Sequence, residues 1–215
     1  MILTTKIYAI AMILISMIVA IAIYYIMTNA SKEEKRKQLN ELTSQLVNFV
    51  LYIWLAKILL NLSLFLEDPL AVLAYPSNGE AFYLATLFTV ITIAIQSYRG
   101  KLQVIPLVLT FIPVFLISVF FFEFLQLTIM DDLFVIGNII VSGLLIVCYY
   151  WVHEKVSVDV LLMVMLAGWS AGMLALTLIQ PFVTLFDYLM KPWFIGVFFV
   201  VMFSLILLKR KRWEN

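Results

Sequence analysis

The chain has a single cysteine and a single histidine, which leaves little thiol or imidazole chemistry open to it. Cys148, set in an apolar run, has no second thiol for an intramolecular disulfide or a CxxC redox or metal site. His153 sits beside Glu154 and Lys155 in a short polar break. Zinc sites take several His, Cys or carboxylate ligands, so a His-rich cluster is excluded, and neither a metal nor another cofactor is expected. Both residues read as packing or loop positions. Charge is scarce too: 13% of residues are charged and the net charge is +1, with no basic face beyond short loop clusters. Nucleic acid is therefore not an expected partner.

What the chain has in abundance is apolar length. Its 215 residues are 65% hydrophobic with a mean hydropathy of +1.09, more apolar surface than any water-soluble core hides. The expected fold is all-α, a polytopic membrane helix bundle in a single transmembrane domain over 1–215, without repeats or low-complexity tracts. Seven transmembrane helices are predicted, at about 8–27, 46–65, 82–96, 104–124, 133–151, 158–179 and 193–208. A cleaved signal peptide is the competing reading of the first run. The strongly basic flank that follows it suits an uncleaved anchor instead. Residues 31–42, with opposite charges at helical spacing, read as a solvated helical linker. Pro113 is expected to kink the fourth crossing and free a backbone carbonyl.

Loop charge sets the orientation. The loops after helices 1, 3 and 5, with the tail Lys209–Arg212, hold Arg99, Lys101, Lys155 and two basic clusters. The opposite set holds Lys6 and Lys191 among Glu67, Asp68, Glu80, Asp131, Asp132 and Asp187. The positive-inside rule then places the N-terminus outside and the C-terminus in the cytoplasm of a multi-pass protein of the cell membrane. Trp151, Trp193 and Trp213 fall near predicted interfaces, as aromatic belts do. The longest outside loop, Leu66 to Ala81, contains the turn signal Pro76-Ser-Asn-Gly79.

Polar residues inside the spans are the candidate site. Lys57 lies about eight residues before the outer end of helix 2, with Asn61 one turn further out. Glu123 and Gln126 lie at comparable depth on helix 4, and Asn138, Gln180 and Tyr83 also fall in the outer half. A lone Lys at mid-membrane costs about 2.5 to 3.5 kcal/mol on insertion scales, so it is expected to pair or reach water. A contact between Lys57 and Glu123 is the expected solution, within a small polar pocket opening outward. Snorkelling of Lys57 along its own stem is the competing reading. Gly168-Trp-Ser-Ala-Gly172 is a GxxxG pattern whose expected role is helix packing.

The order of these features resembles the prolipoprotein diacylglyceryl transferase family. The Gly-Ala-Arg-Leu-Tyr-Tyr type segment that ends helix 2 there is similar to Leu55-Ala-Lys57-Ile-Leu-Leu60, and a Pro-Leu-x-x-Leu element is similar to Pro69-Leu-Ala-Val-Leu73. Gly79-Glu-Ala-Phe-Tyr83-Leu-Ala85 is the weak counterpart of the Gly-Gly-x-x-x-His-Gly-Gly segment. The departures are larger than the matches. The family's histidine falls on Tyr83, its Gly-Arg-x-Gly-Asn-Phe signature has no counterpart in Ile117-Ser-Val-Phe-Phe-Phe122, and its later arginine falls near Trp169 or Ser170. The resemblance implies a diverged relative without the arginines that hold a phosphatidylglycerol headgroup.

The function expected is thus a non-catalytic membrane protein that binds a membrane phospholipid or another membrane protein. Lys57 would meet an anionic headgroup, while Asn61, Tyr83, Glu123, Gln126 and Asn138 line the pocket. A small transporter, or the substrate-binding subunit of one, is the alternative, against which the inner half offers almost no polar lining beyond Gln96. An active lipid-group transferase using Tyr83 or Glu123 as general base is a third reading.

Overall fold

The computed structural model describes residues 2–74 and 78–214, and the side chains of residues 8–72 and 78–207. Part of the expected Pro76–Gly79 turn, and the side chains of Lys6, of Lys209–Arg212 and of Trp213, lie outside the described residues. The helices in chain order are α1 (Ile2–Met27), α2 (Lys32–Leu60), α3 (Leu62–Glu67), α4 (Pro69–Ala74), α5 (Gly79–Tyr98), α6 (Val104–Met130), α7 (Ile136–Val152), α8 (Val158–Ile179) and α9 (Pro192–Glu214). A 3₁₀ turn (Leu133–Val135) leads into α7, and two short strands, β1 (Thr184–Leu185) and β2 (Tyr188–Leu189), separate α8 from α9.

The protein is an all-α integral membrane protein. Among the described residues six helices are long and apolar enough to cross a bilayer: α1 over Tyr8–Met27, α2, α5, α6, α7 with its 3₁₀ turn, and α8. Helix is the form such segments take because it pairs the backbone N–H and C=O groups internally where no water can. The stretch expected as a seventh crossing lies on α9, where the residues with described side chains give an apolar run over Pro192–Leu207.

The chain folds as two compact units, Met27–Phe111 and Met1–Ile26 with Ile112–Asn215. In the first, the charged linker and the expected second crossing form one helix. Ser31 opens it with a capping box: its hydroxyl accepts from the Glu34 N–H at 3.2 Å while the Glu34 carboxylate accepts from the Ser31 N–H at 3.1 Å. The helix ends at Leu60, five residues before the expected 65, because Asn61 turns out of it at φ −128° and ψ 41°. The Asn61 side-chain amide donates to the Lys57 carbonyl at 2.9 Å, a local bond that competes with helix continuation. α5 begins on Asn78, whose side chain accepts from the Ala81 N–H at 2.9 Å. α2 packs along α5, with Gln45 donating to Gln96 at 2.9 Å and the Tyr52 and Thr92 hydroxyls 2.7 Å apart.

In the second unit α1 buries a stripe at four-residue spacing, Met12, Ser16, Ala20 and Tyr24, whose small central members permit close approach. α6 runs through Pro113 without a break and six residues past the expected end. α7 packs on α8, and α8 on α9. At the α7–α8 seam a Cβ on Gly168 would lie 2.8 Å from Leu145 Cδ2, and one on Gly172 would lie 2.7 Å from Val141 Cγ1. These two glycines therefore set how closely the helices approach. Trp169 of α8 stands edge-on to Phe115 of α6 and Phe198 of α9, with ring centroids 6.3 and 6.0 Å apart.

Where the sequence suggested only a loop, residues 184–189 make an antiparallel hairpin pairing Thr184 with Leu189 and Leu185 with Tyr188. Its turn residues Phe186 and Asp187 both have positive φ, 50° and 69°, the backbone of a type I′ turn. Without glycine that conformation costs roughly 1–2 kcal/mol per residue. Packing offsets it: the Phe186 ring lies 5.4 Å from Phe122 and 6.2 Å from Phe115, and Val183, Leu185 and Met190 are buried.

Candidate functional site

The polar centre of the larger unit is assembled by three elements. α6 carries Glu123, fully buried at 0% exposure and preceded by the equally buried Phe122. Asp132 then accepts from the Phe134 N–H at 2.9 Å, opening the 3₁₀ turn that leads into α7. One turn into α7, Asn138 faces α6. Its side-chain N–H₂ group donates to Glu123 Oε1 at 3.0 Å and to the Thr184 carbonyl of the hairpin at 2.9 Å. Ser142, one turn further on, donates its hydroxyl to the Asn138 carbonyl at 2.7 Å. A single amide thus holds together a buried carboxylate and the hairpin backbone.

Two acceptors of this centre, Glu123 Oε2 and Asn138 Oδ1, are buried without a hydrogen-bond partner among the described residues. On the Asn138 side of this centre lies a cavity of about 10 Å³, room for one water-sized species, which Asn138 and Ser142 line among apolar neighbours that include Phe115, Trp169, Met173 and Leu185; Glu123 is not in its wall. Asp132 and Asp187 add negative charge to the surroundings of Glu123. On the hairpin turn, partial burial and then the charge of Asp132 push the Asp187 carboxyl above the usual carboxylate range.

The residues singled out in the sequence divide between the two units, and each group is described within its own. Glu123 and Asn138 are joined, and Gln126 is buried on α6 one turn beyond Glu123. Gln180 donates to the Phe134 carbonyl at 2.9 Å, tying the end of α8 to the 3₁₀ turn. In the other unit Lys57 and Tyr83 are buried, at 6% and 7% exposure, whereas Asn61 is exposed and caps the end of α2. Sequence reasoning missed the Thr184 carbonyl and Ser142. Ser142 stands four residues after Asn138, a spacing visible in the sequence, while the hairpin carries neither the Asn nor the Gly that marks a tight turn.

His153 stacks on Tyr149 with centroids 5.3 Å apart, its Nδ1 lies 3.2 Å from the Tyr150 carbonyl and its Nε2 3.7 Å from Glu154. Among the described residues no group of three or more His, Cys, Asp or Glu side chains is placed to hold a metal. No family model, no curated protein and no solved structure matches the chain.

Proposed function

We propose that this is a seven-crossing protein of the cell membrane, N-terminus outside, that binds an anionic phospholipid and does not transform it. Lys57 carries the reading. Its side chain is 6% exposed on an apolar helix that ends one turn later, at Asn61. Directly after the break, Leu62, Leu64, Leu66 and Leu70 are exposed on the short helices α3 and α4. An ammonium on a helix that leads into an exposed apolar segment complements a phosphate headgroup and its acyl chains. In this reading the likeness to diacylglyceryl transferases concerns layout and lipid contact. Catalysis is left out because the arginines that would stabilise the headgroup during transfer have no counterparts here.

The test is native mass spectrometry of the protein extracted from membranes containing phosphatidylglycerol. Lys57→Arg is expected to keep the co-purified lipid and Lys57→Ala to lose most of it. Equal retention by both variants, with unchanged thermal unfolding, contradicts the headgroup role.

A further inference from the structure

We propose that the centre formed by Glu123 and Asn138 is a binding site for one small monovalent cation, a proton or a sodium ion. The inference goes beyond the lipid reading and does not involve Lys57, the residue that carries it.

Asn138 and Ser142 have no hydrogen left to give, while acceptors are left over. Both hydrogens of the Asn138 amide are committed, to Glu123 Oε1 at 3.0 Å and to the Thr184 carbonyl at 2.9 Å. The Ser142 hydroxyl hydrogen goes to the Asn138 carbonyl at 2.7 Å. What remains of theirs and of Glu123 is oxygen: Glu123 Oε2 and Asn138 Oδ1, both buried and unpartnered among the described residues, with the lone pairs of Ser142 on the same cavity wall as Asn138. One amide hydrogen bond does not offset the desolvation of a carboxylate buried in a membrane-spanning helix. The charged groups acting on Glu123 from the neighbouring segments, Asp132 before α7 and Asp187 on the hairpin, are both acids. From α7 and α8 the cavity meets the neutral Asn138, Ser142, Trp169 and Met173. A buried carboxylate with a spare oxygen and two acids around it selects a positive charge, and the cavity of about 10 Å³ against Asn138 and Ser142 admits nothing larger than a water-sized species.

Binding has a structural consequence. The amide that contacts Glu123 also holds the hairpin, so a charge bound at the carboxylate alters the anchoring of residues 184–189.

Infrared difference spectroscopy on the full chain in lipid vesicles tests the proposal. The carboxyl band of Glu123 is assigned by its absence in Glu123→Gln or, if that variant does not fold, by its displacement in Glu123→Asp. The band is followed from about pH 5 to about pH 10, a range that brackets ordinary and buried carboxyl groups, with choline or sodium as the salt cation. Loss of the acid band with rising pH, regardless of salt, identifies a proton site. Its loss at fixed pH when sodium replaces choline identifies a sodium site. A Glu123 band that stays the same in every condition, whether acid or carboxylate, overturns the proposal.

Discussion

The seam between α2 and α5 and the centre built on Glu123 are both polar and both inside membrane-spanning segments, yet they spend their polarity differently. Along the first, uncharged side chains meet one another across two helices: Gln45 with Gln96 at 2.9 Å, Tyr52 with Thr92 at 2.7 Å. These are contacts between neutral groups, the kind that holds helices together in lipid. At the second, a fully buried carboxylate receives one amide hydrogen bond and keeps an oxygen without a donor among the described residues. The seam too leaves a buried acceptor over, Gln45 Oε1, among the described residues. What sets the second region apart is therefore the carboxylate itself, a group that can carry a charge where the seam has only neutral ones.

The largest effect expected from breaking the comparison comes from Asn138→Leu, which strips Glu123 of its donor and the hairpin of its anchor. Unfolding in a detergent titration is predicted to show a loss of about 2–6 kcal/mol, two buried acceptors each losing a donor at about 1–3 kcal/mol. Next is Gly172→Ala. Its new methyl would sit 2.7 Å from Val141 Cγ1, a β-branched side chain with little rotamer freedom. A loss of about 1–3 kcal/mol follows from overpacking, measured in the same titration. Gly168→Ala is predicted to cost less, since it meets the mobile end of Leu145. Tyr52→Phe removes one neutral contact and is expected to cost about 0.6 kcal/mol, the average for such bonds between membrane helices.

The smallest effect concerns pH. Asp187 has its pKa raised by partial burial and by Asp132, so the folded hairpin holds that proton more tightly than the unfolded chain does. Its contribution to stability is therefore fully present below the unfolded pKa and declines as pH rises through the raised folded value. Unfolding midpoints measured across that interval are expected to slope downward, and Asp187→Asn, which tolerates the positive φ of the turn, is expected to flatten the slope.

Spans were the legible part of this molecule. The apolar runs at 8–27 and 158–179 coincide with the helical spans Tyr8–Met27 and Val158–Ile179, because hydrophobic length is a property of the local sequence. Boundaries set by side-chain caps were less legible. Ser31 and Glu34 fuse the charged linker to the second crossing, and the Asn61 amide ends it early. The hairpin was hidden altogether, since a Phe–Asp turn at positive φ persists only through contacts with Phe115 and Phe122, some seventy residues earlier in the chain. For the site, the sequence brought Glu123 and Asn138 to one depth. It held no information that a single amide would bridge the carboxylate and the Thr184 carbonyl, a meeting made by tertiary packing.

The account rests on the difference between a charged centre and a neutral seam, and paired double-mutant cycles on unfolding free energy measure it directly. The cycle Glu123→Gln with Asn138→Leu is predicted to give a coupling of at least about 1.5 kcal/mol, and the cycle Tyr52→Phe with Thr92→Val one of about 0.6 kcal/mol. Equal couplings, or a larger one at the α2–α5 seam, would contradict it.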